Sequence, residues 1–237
     1  MITVFISALK VIFLLGFLVG IHEGGHFLVA KLCKVKVNEF SIGFGPAILK
    51  WQGKETKYAL RIIPLGGFVS LEGEEAQFSD EERAFCNASI LKRIAIVSAG
   101  AIVNIIFALI AYLIISGSFE STRIFAKVTV EGVISIFTNR ITASDLTGPI
   151  GISKIVAQTN GIKQFCYVLA VISMSLGVTN LIPFPPLDGG KILLLLIEAV
   201  RRKKLKAETE AKISLIGLAI LLTLSILVAY NDIINIF

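Results

Sequence analysis

The sequence predicts an α-helical polytopic membrane protein with about four transmembrane helices and a small membrane-associated β element between helices 1 and 2. Three observations predict it. The chain has 237 residues, 55% of them hydrophobic, and a mean hydropathy of +0.83, which a soluble domain does not reach. Apolar runs at or near the roughly 20 residues that a bilayer demands recur at about 4–32, 94–116, 165–200 and 213–230. Between the first two runs, residues 37–71 are rich in β-branched and aromatic residues and punctuated by Gly and Pro, the signature of strands.

The first run carries the residues around which the rest is organised. His22-Glu23-Gly24-Gly25-His26 is a His-Glu-x-x-His motif, and it holds both histidines of the chain. On a helix, positions i and i+4 share a face, so both imidazoles can turn toward one metal ion. Glu23 then stands where a carboxylate can take a proton from water: two ligands and a general base, the arrangement of zinc hydrolases. Ionisable groups inside an apolar span are costly and mark function. The bland alternative is two histidines satisfied by carbonyls. No cleavable signal peptide is expected, because no small-residue cleavage site follows this run.

The connection from Lys31 to Arg93 is Lys-rich. Val37–Pro46 and Tyr58–Leu71 read as strands, with Trp51-Gln52-Gly53-Lys54 as the turn between them. The tract Ile62–Leu71 is too apolar for a surface loop. Either it dips into the membrane as a reentrant element that offers an edge to an extended peptide, or it is a small sheet packed on the helices. Glu72–Arg83 is acidic, and is either solvated or opens a short surface helix at Ser79. In the second span Ala99-Gly100-Ala101 makes a slim face. Asn104 is its one strongly polar side chain, either interhelical glue or an accessory to the site. In the next connection, residues 117–163, Phe125–Val130 reads as a short strand, and Ser144–Gly151 as a turn followed by a short amphipathic helix.

The third span is interrupted at 180–190, Asn180-Leu181-Ile182-Pro183-Phe184-Pro185-Pro186-Leu187-Asp188-Gly189-Gly190, where three prolines break the helix. Irregular backbone at membrane depth lasts only where protein buries it or a wet cavity adjoins it. The basic cluster Arg201-Arg202-Lys203-Lys204 and the connection after span one belong on the cytoplasmic side, which puts both termini outside the cytoplasm. The histidines then precede Lys31 and Lys34 by about five to twelve residues, roughly 8–18 Å of helix, and Asp188 precedes Arg201 by about 20 Å. The depths overlap, so Asp188 can supply a third ligand and leave the fourth position to water; the alternative is a helix cap. Cys33, Cys86 and Cys166 are scattered and form no CxxC pair. The net charge of +6 calls for no nucleic acid; the partners expected are the lipid bilayer and membrane-embedded substrates.

Four stretches in order resemble the site-2 protease family, in its bacterial regulator of sigma-E protease group. They are His22–His26; Phe40–Pro46 with Ile63–Val69; Gly100-Ala101-Ile102-Val103-Asn104; and Asn180–Gly190. The resemblance implies an intramembrane zinc metalloprotease of the bacterial inner membrane. Such enzymes cut single-pass helices, anti-sigma factors or signal-peptide remnants, after another protease has trimmed them. It implies zinc on His22, His26 and Asp188, with Glu23 as base. It also implies an unwound substrate held by Asn180 and by the β element at Gly43, Gly45, Gly66, Gly67, Phe68 and Val69, and a polar accessory at Asn104. Two features depart from the pattern. Residues 117–163 cannot hold a PDZ domain of about 80–100 residues, so residues 1–237 are expected to form a single domain. Gly100-Ala101 stands where Gly-Pro is usual. A zinc transporter and a non-catalytic membrane scaffold are the alternative readings.

Overall fold

A computed structural model describes residues 2–74, 76, 78–137 and 149–234. Seven helices and a two-stranded sheet follow in the order α1 (Ile2–Leu32), β1 (Val37–Gln52), β2 (Lys57–Leu71), α2 (Ile90–Ser116), α3 (Phe119–Phe137), α4 (Pro149–Ala157), α5 (Gly161–Asn180), α6 (Asp188–Arg201) and α7 (Ala207–Ile234). Among the described residues four helices are long and apolar enough to cross a membrane: Phe5–Leu32, Ile90–Ser116, Gly161–Asn180 and Ala207–Tyr230. The isoleucines, leucines and phenylalanines that α1, α2 and α7 expose are what a lipid-facing surface requires. With only 14 residues, α6 is too short to cross alone. It follows α5 after the proline-broken loop.

Small residues set the helix packing. A Cβ on Gly25 would lie 2.7 Å from the Ala99 carbonyl oxygen, and one on Gly177 would lie 2.7 Å from that of Ala101. α1 and α5 therefore press their backbones against α2, as small residues permit in lipid. A buried ion pair, Arg93 to Glu198 at 2.8 Å, ties the start of α2 to the end of α6, and Glu198 also accepts the Leu205 N–H.

β1 and β2 are long, and glycines bend β1 in the middle. Gly43 and Gly45 have φ of 92° and 82°, where other residues are strained. The bend gives the strand pair four rows. Glu39–Ile42 lies opposite Ser70–Gly67 on one side and opposite Lys57–Leu60 on the other, while Ala47–Gln52 lies opposite Arg61–Lys57. The outer rows are therefore 47–52 and 67–71. Arg61 clamps the bend, donating to Ser41 Oγ at 2.7 Å, the Gly45 carbonyl at 2.7 Å and Glu39 at 2.6 Å. Phe27 of α1 meets the rings of Phe40 and Tyr58 edge-on, which fixes the sheet to α1.

One expectation is corrected and one open alternative is decided. Phe125–Val130 is not a strand; it lies inside α3. Its β-branched residues favour extension, but Phe125, Ala126, Val130 and Val133 recur at helical spacing. Phe125 stacks on Tyr112 at 4.2 Å and is buried with Ala108, Ala170 and Met174, so tertiary packing overrides propensity. α3 thus folds back along α2 and α5. No helix opens at Ser79: its hydroxyl accepts the Glu81 N–H, and the chain is drawn inward at Phe85, which is wholly buried against α1, the sheet, α2 and α6. The short helix expected next is α4, whose Val156 packs on Leu14, Leu18 and Leu169. Lys10 of α1 donates to the Thr159 carbonyl beyond α4 at 2.8 Å. Of the turn expected at Ser144–Gly151, Pro149–Gly151 already belong to α4, and residues 144–148 lie outside the described residues.

Candidate metal centre

The site is built where α1, α2, β2 and the start of α6 meet. His22 and His26, one turn apart on α1, point their Nε2 atoms the same way, 3.2 Å apart. Asp188 Oδ2 lies 3.3 Å from His22 Nε2 and 3.5 Å from His26 Nε2. Among the described residues these three are the one His, Cys, Asp or Glu group whose ligand atoms converge, all within 4.8 Å.

Backbone geometry explains how Asp188 arrives. The loop Leu181–Leu187 pairs its own backbone, with Phe184 N–H donating to the Ile182 carbonyl and Leu187 N–H to that of Phe184. It then folds back over the first turn of α6. A Cβ on Gly189 would lie 2.3 Å from the carbonyl oxygens of Leu181 and Ile182, and one on Gly190 would lie 2.4 Å from Pro185 N. The Asp-Gly-Gly sequence is what allows this fold-back. Asp188 does not cap the helix: Oδ2 is buried and has no hydrogen-bond partner.

That unpartnered oxygen is the first test of whether a metal fits. The spacing is the second: three donors about 2.0–2.1 Å from one tetrahedral zinc stand about 3.3–3.5 Å apart, close to the 3.2, 3.3 and 3.5 Å found. The third is space. A Cβ on Gly100 would lie 2.4 Å from His26 Nε2 and 2.9 Å from His22 Cε1, so α2 leaves a cradle there that any other residue would fill. The sequence marks Gly100 as part of a slim face and of a stretch that resembles the family, but not as the floor of a metal site; the signal for more was a glycine on a span facing the motif. His26 Nδ1 lies 2.8 Å from the Ile96 carbonyl oxygen. A carbonyl only accepts, so Nδ1 carries the hydrogen and Nε2 presents a lone pair to the centre. Asn104, wholly buried, reaches His22 Nδ1 at 3.2 Å.

Glu23, His22, His26 and Asp188 share a cavity of about 220 Å³, which Gly67, Phe68, Val69, Glu74 and Lys191 also line. Gly67 brings β2 up to the motif: a Cβ there would lie 3.0 Å from Glu23 Cγ and 2.8 Å from the Ser41 carbonyl oxygen. The outer row 67–71 therefore runs beside Glu23. The other expected β residues do not line this cavity; Gly43 and Gly45 bend β1, and Gly66 lies under the Phe44 ring. Asn180 ends α5 and is not part of the cavity wall. Lys191 and Glu74, joined at 2.5 Å, also line a larger cavity of about 530 Å³ between α6 and α7. Neither was foreseen, since Glu74 lies in the connection after β2, where no depth mark sets it beside Lys191.

Comparison with known proteins follows the same outline. The model of a family described as peptidase family M50 matches residues 10–224. A Clostridium acetobutylicum protein named "Putative zinc metalloprotease" is 27% identical over 333 aligned positions, covering 97% of this chain and 98% of the relative. A Vibrio cholerae protein of the same name is 50% identical over 102 residues, 41% of this chain and 23% of the relative. Over the same length and shares, the protease RseP of Yersinia pestis is 45% identical.

Proposed function

The chain belongs to peptidase family M50, and on that premise we propose that it is a zinc-dependent intramembrane protease that hydrolyses peptide bonds within membrane-spanning segments of other proteins. The observation that carries the reading is the convergence of His22, His26 and Asp188 with Glu23 in one cavity between apolar helices. Zinc is the metal in its relatives' names. His22, His26 and Asp188 would hold it, and it supplies Lewis acidity toward the scissile carbonyl and toward water.

The remaining chemistry belongs to the chain. Glu23 takes the proton of the attacking water and delivers it to the departing amine. A helical substrate keeps its carbonyls in its own hydrogen bonds, so it must be unwound before it can be cut. The row 67–71 at the sheet edge replaces those bonds with its own backbone groups, and Gly67, Phe68 and Val69 set the peptide beside Glu23. Asn180, Gly43, Gly45 and Gly66 serve this role indirectly, by shaping the loop and the bend.

The setting proposed is a bacterial inner membrane, with both termini outside the cytoplasm and residues 1–237 as one catalytic unit. The substrates are single-pass proteins, anti-sigma factors or signal-peptide remnants, already trimmed in regulated intramembrane proteolysis. The alignment with the Clostridium relative is longer than this chain by roughly a hundred positions, about one PDZ domain in size. In this chain the described part of the corresponding connection is α3 and α4.

The test is cleavage of a transmembrane-helix substrate in detergent by the parent and by Glu23→Gln, with zinc quantified in both. Zinc in both and cleavage by the parent alone is expected. Full turnover by the variant removes Glu23 as base; zinc in neither overturns the metal centre. Zinc in both with cleavage by neither, across a panel of such helices, favours a transporter or a scaffold.

A further inference from the structure

We propose that Asn104 is a positioning residue that decides which nitrogen of His22 faces the metal. The proposal rests on His22, His26 and Asp188 being the zinc ligands. Asn104 sits in the middle of α2, wholly buried, with its amide 3.2 Å from His22 Nδ1. With Nδ2 toward the ring, Nδ1 must accept. The hydrogen of a neutral ring then sits on Nε2 and points into the centre, where His26 Nε2 is 3.2 Å away.

An amide is nearly symmetric in shape, and a half-turn exchanges its oxygen and nitrogen. Turned so, Oδ1 accepts from Nδ1–H and His22 Nε2 is bare. Both histidines then obey one rule: each gives its Nδ1–H to an oxygen of α2, Ile96 O for His26 and Asn104 Oδ1 for His22, and each turns Nε2 to the metal. The helix that carries these acceptors is held in place. Ser173, wholly buried on α5, donates to the Asn104 backbone carbonyl at 2.9 Å, and Gly177 lies flush on the Ala101 carbonyl.

The test is zinc affinity, read by competition with a chelator on the detergent-solubilised full chain. Asn104→Asp keeps an oxygen toward the ring in either orientation; Asn104→Leu is close in size and offers none. Loss of an outer-shell partner typically weakens metal binding by roughly 10–100-fold, so Asn104→Leu should fall in that range while Asn104→Asp stays within a few-fold of the parent. Asn104→Leu binding as the parent does, or Asn104→Asp falling as far as Asn104→Leu, overturns the proposal. A second measurement needs no variant to fold. The chain has just two histidines, so the ¹⁵N-histidine spectrum of the zinc-loaded parent should show both rings bound through Nε2 and hydrogenated at Nδ1. A His22 ring with bare Nδ1 overturns the role of Asn104 alone, whereas a parent that holds no zinc defeats the metal centre beneath it.

Discussion

Gly100→Ala should damage the metal centre out of proportion to its size. The added methyl carbon would stand 2.4 Å from His26 Nε2, 2.8 Å from His26 Cδ2 and 2.9 Å from His22 Cε1, whereas real contacts of this kind essentially never fall under 3.0 Å. Something must therefore move by at least about 0.6 Å, beyond the ~0.5 Å within which a working site must hold its groups. The His26 ring cannot swing aside freely, because its Nδ1–H is bound to Ile96 at 2.8 Å, one turn earlier on the same helix. α1 cannot simply shift either, since Gly25 already touches the Ala99 carbonyl. Displacements approaching 1 Å cost on the order of 10²-fold in rate. The expected outcome is zinc affinity reduced by roughly 10–100-fold and cleavage reduced by at least about as much. Gly24→Ala is the control: it lies in the motif itself, but its added carbon meets nothing within 4 Å, and alanine is the better helix former by about 1 kcal/mol. Chelator competition and substrate cleavage on both variants decide the matter. Parent-like zinc affinity in Gly100→Ala, or equal loss in Gly24→Ala, would refute the cradle.

Asp188→Ala should lose zinc and activity, yet leave the thermal stability of the zinc-free protein almost unchanged, because Oδ2 makes no hydrogen bond that holds the fold; a large drop in that stability would instead make Asp188 structural. Arg93→Met or Glu198→Leu alone should cost about 3–5 kcal/mol by stranding a buried charge, and the double variant much less, so equal losses in denaturant unfolding would count against a coupled pair. At the hairpin turn, hydrogen bonds from Lys31 and Arg83 hold the Glu55 carboxyl below the usual range. A depressed folded pKa means the contribution is present at neutral pH and fades as pH falls through it, below about 4. Because Glu55 is largely solvated, Glu55→Gln should cost under about 1 kcal/mol at pH 7; the difference from the parent should vanish in acid, and a gap that widens there would reverse the sign assigned.

What the sequence made legible is local or set by depth. His22 and His26 share a face because four residues make about one helical turn. Asp188 is far away in the chain, yet it was within reach because the basic residues beyond each span act as depth marks, and the structure brings it to 3.3 and 3.5 Å. The four apolar runs correspond to four long apolar helices. What stayed hidden depends on how one helix presents itself to another. Gly100 matters because α2 approaches α1 until a single methyl group would occupy the space between the imidazoles. Glu74 and Lys191 meet only once folding brings the chain after β2 to the first turn of α6.

In the connection at residues 117–163, the strand expected at Phe125–Val130 failed for a related reason. The β-branched residues there suggest a strand, but the apolar side of α3 has a partner the local sequence does not reveal: the α2 and α5 surface at Ala108, Tyr112, Ala170 and Met174. A segment that supplies an aromatic ring to that surface cannot also stand apart as an extramembrane domain. α4 does the same for α1, filling the space beside Leu14 and Leu18. The histidines lie on the same helix one to three turns further along, so the helices of this connection pack directly on the scaffold that orients the metal centre. A sequence inserted at residues 117–163 would therefore have to preserve both packing surfaces, and replacing Phe125 or Val156 with a polar residue should loosen α1, α2 and α5 before it touches any residue of the site itself.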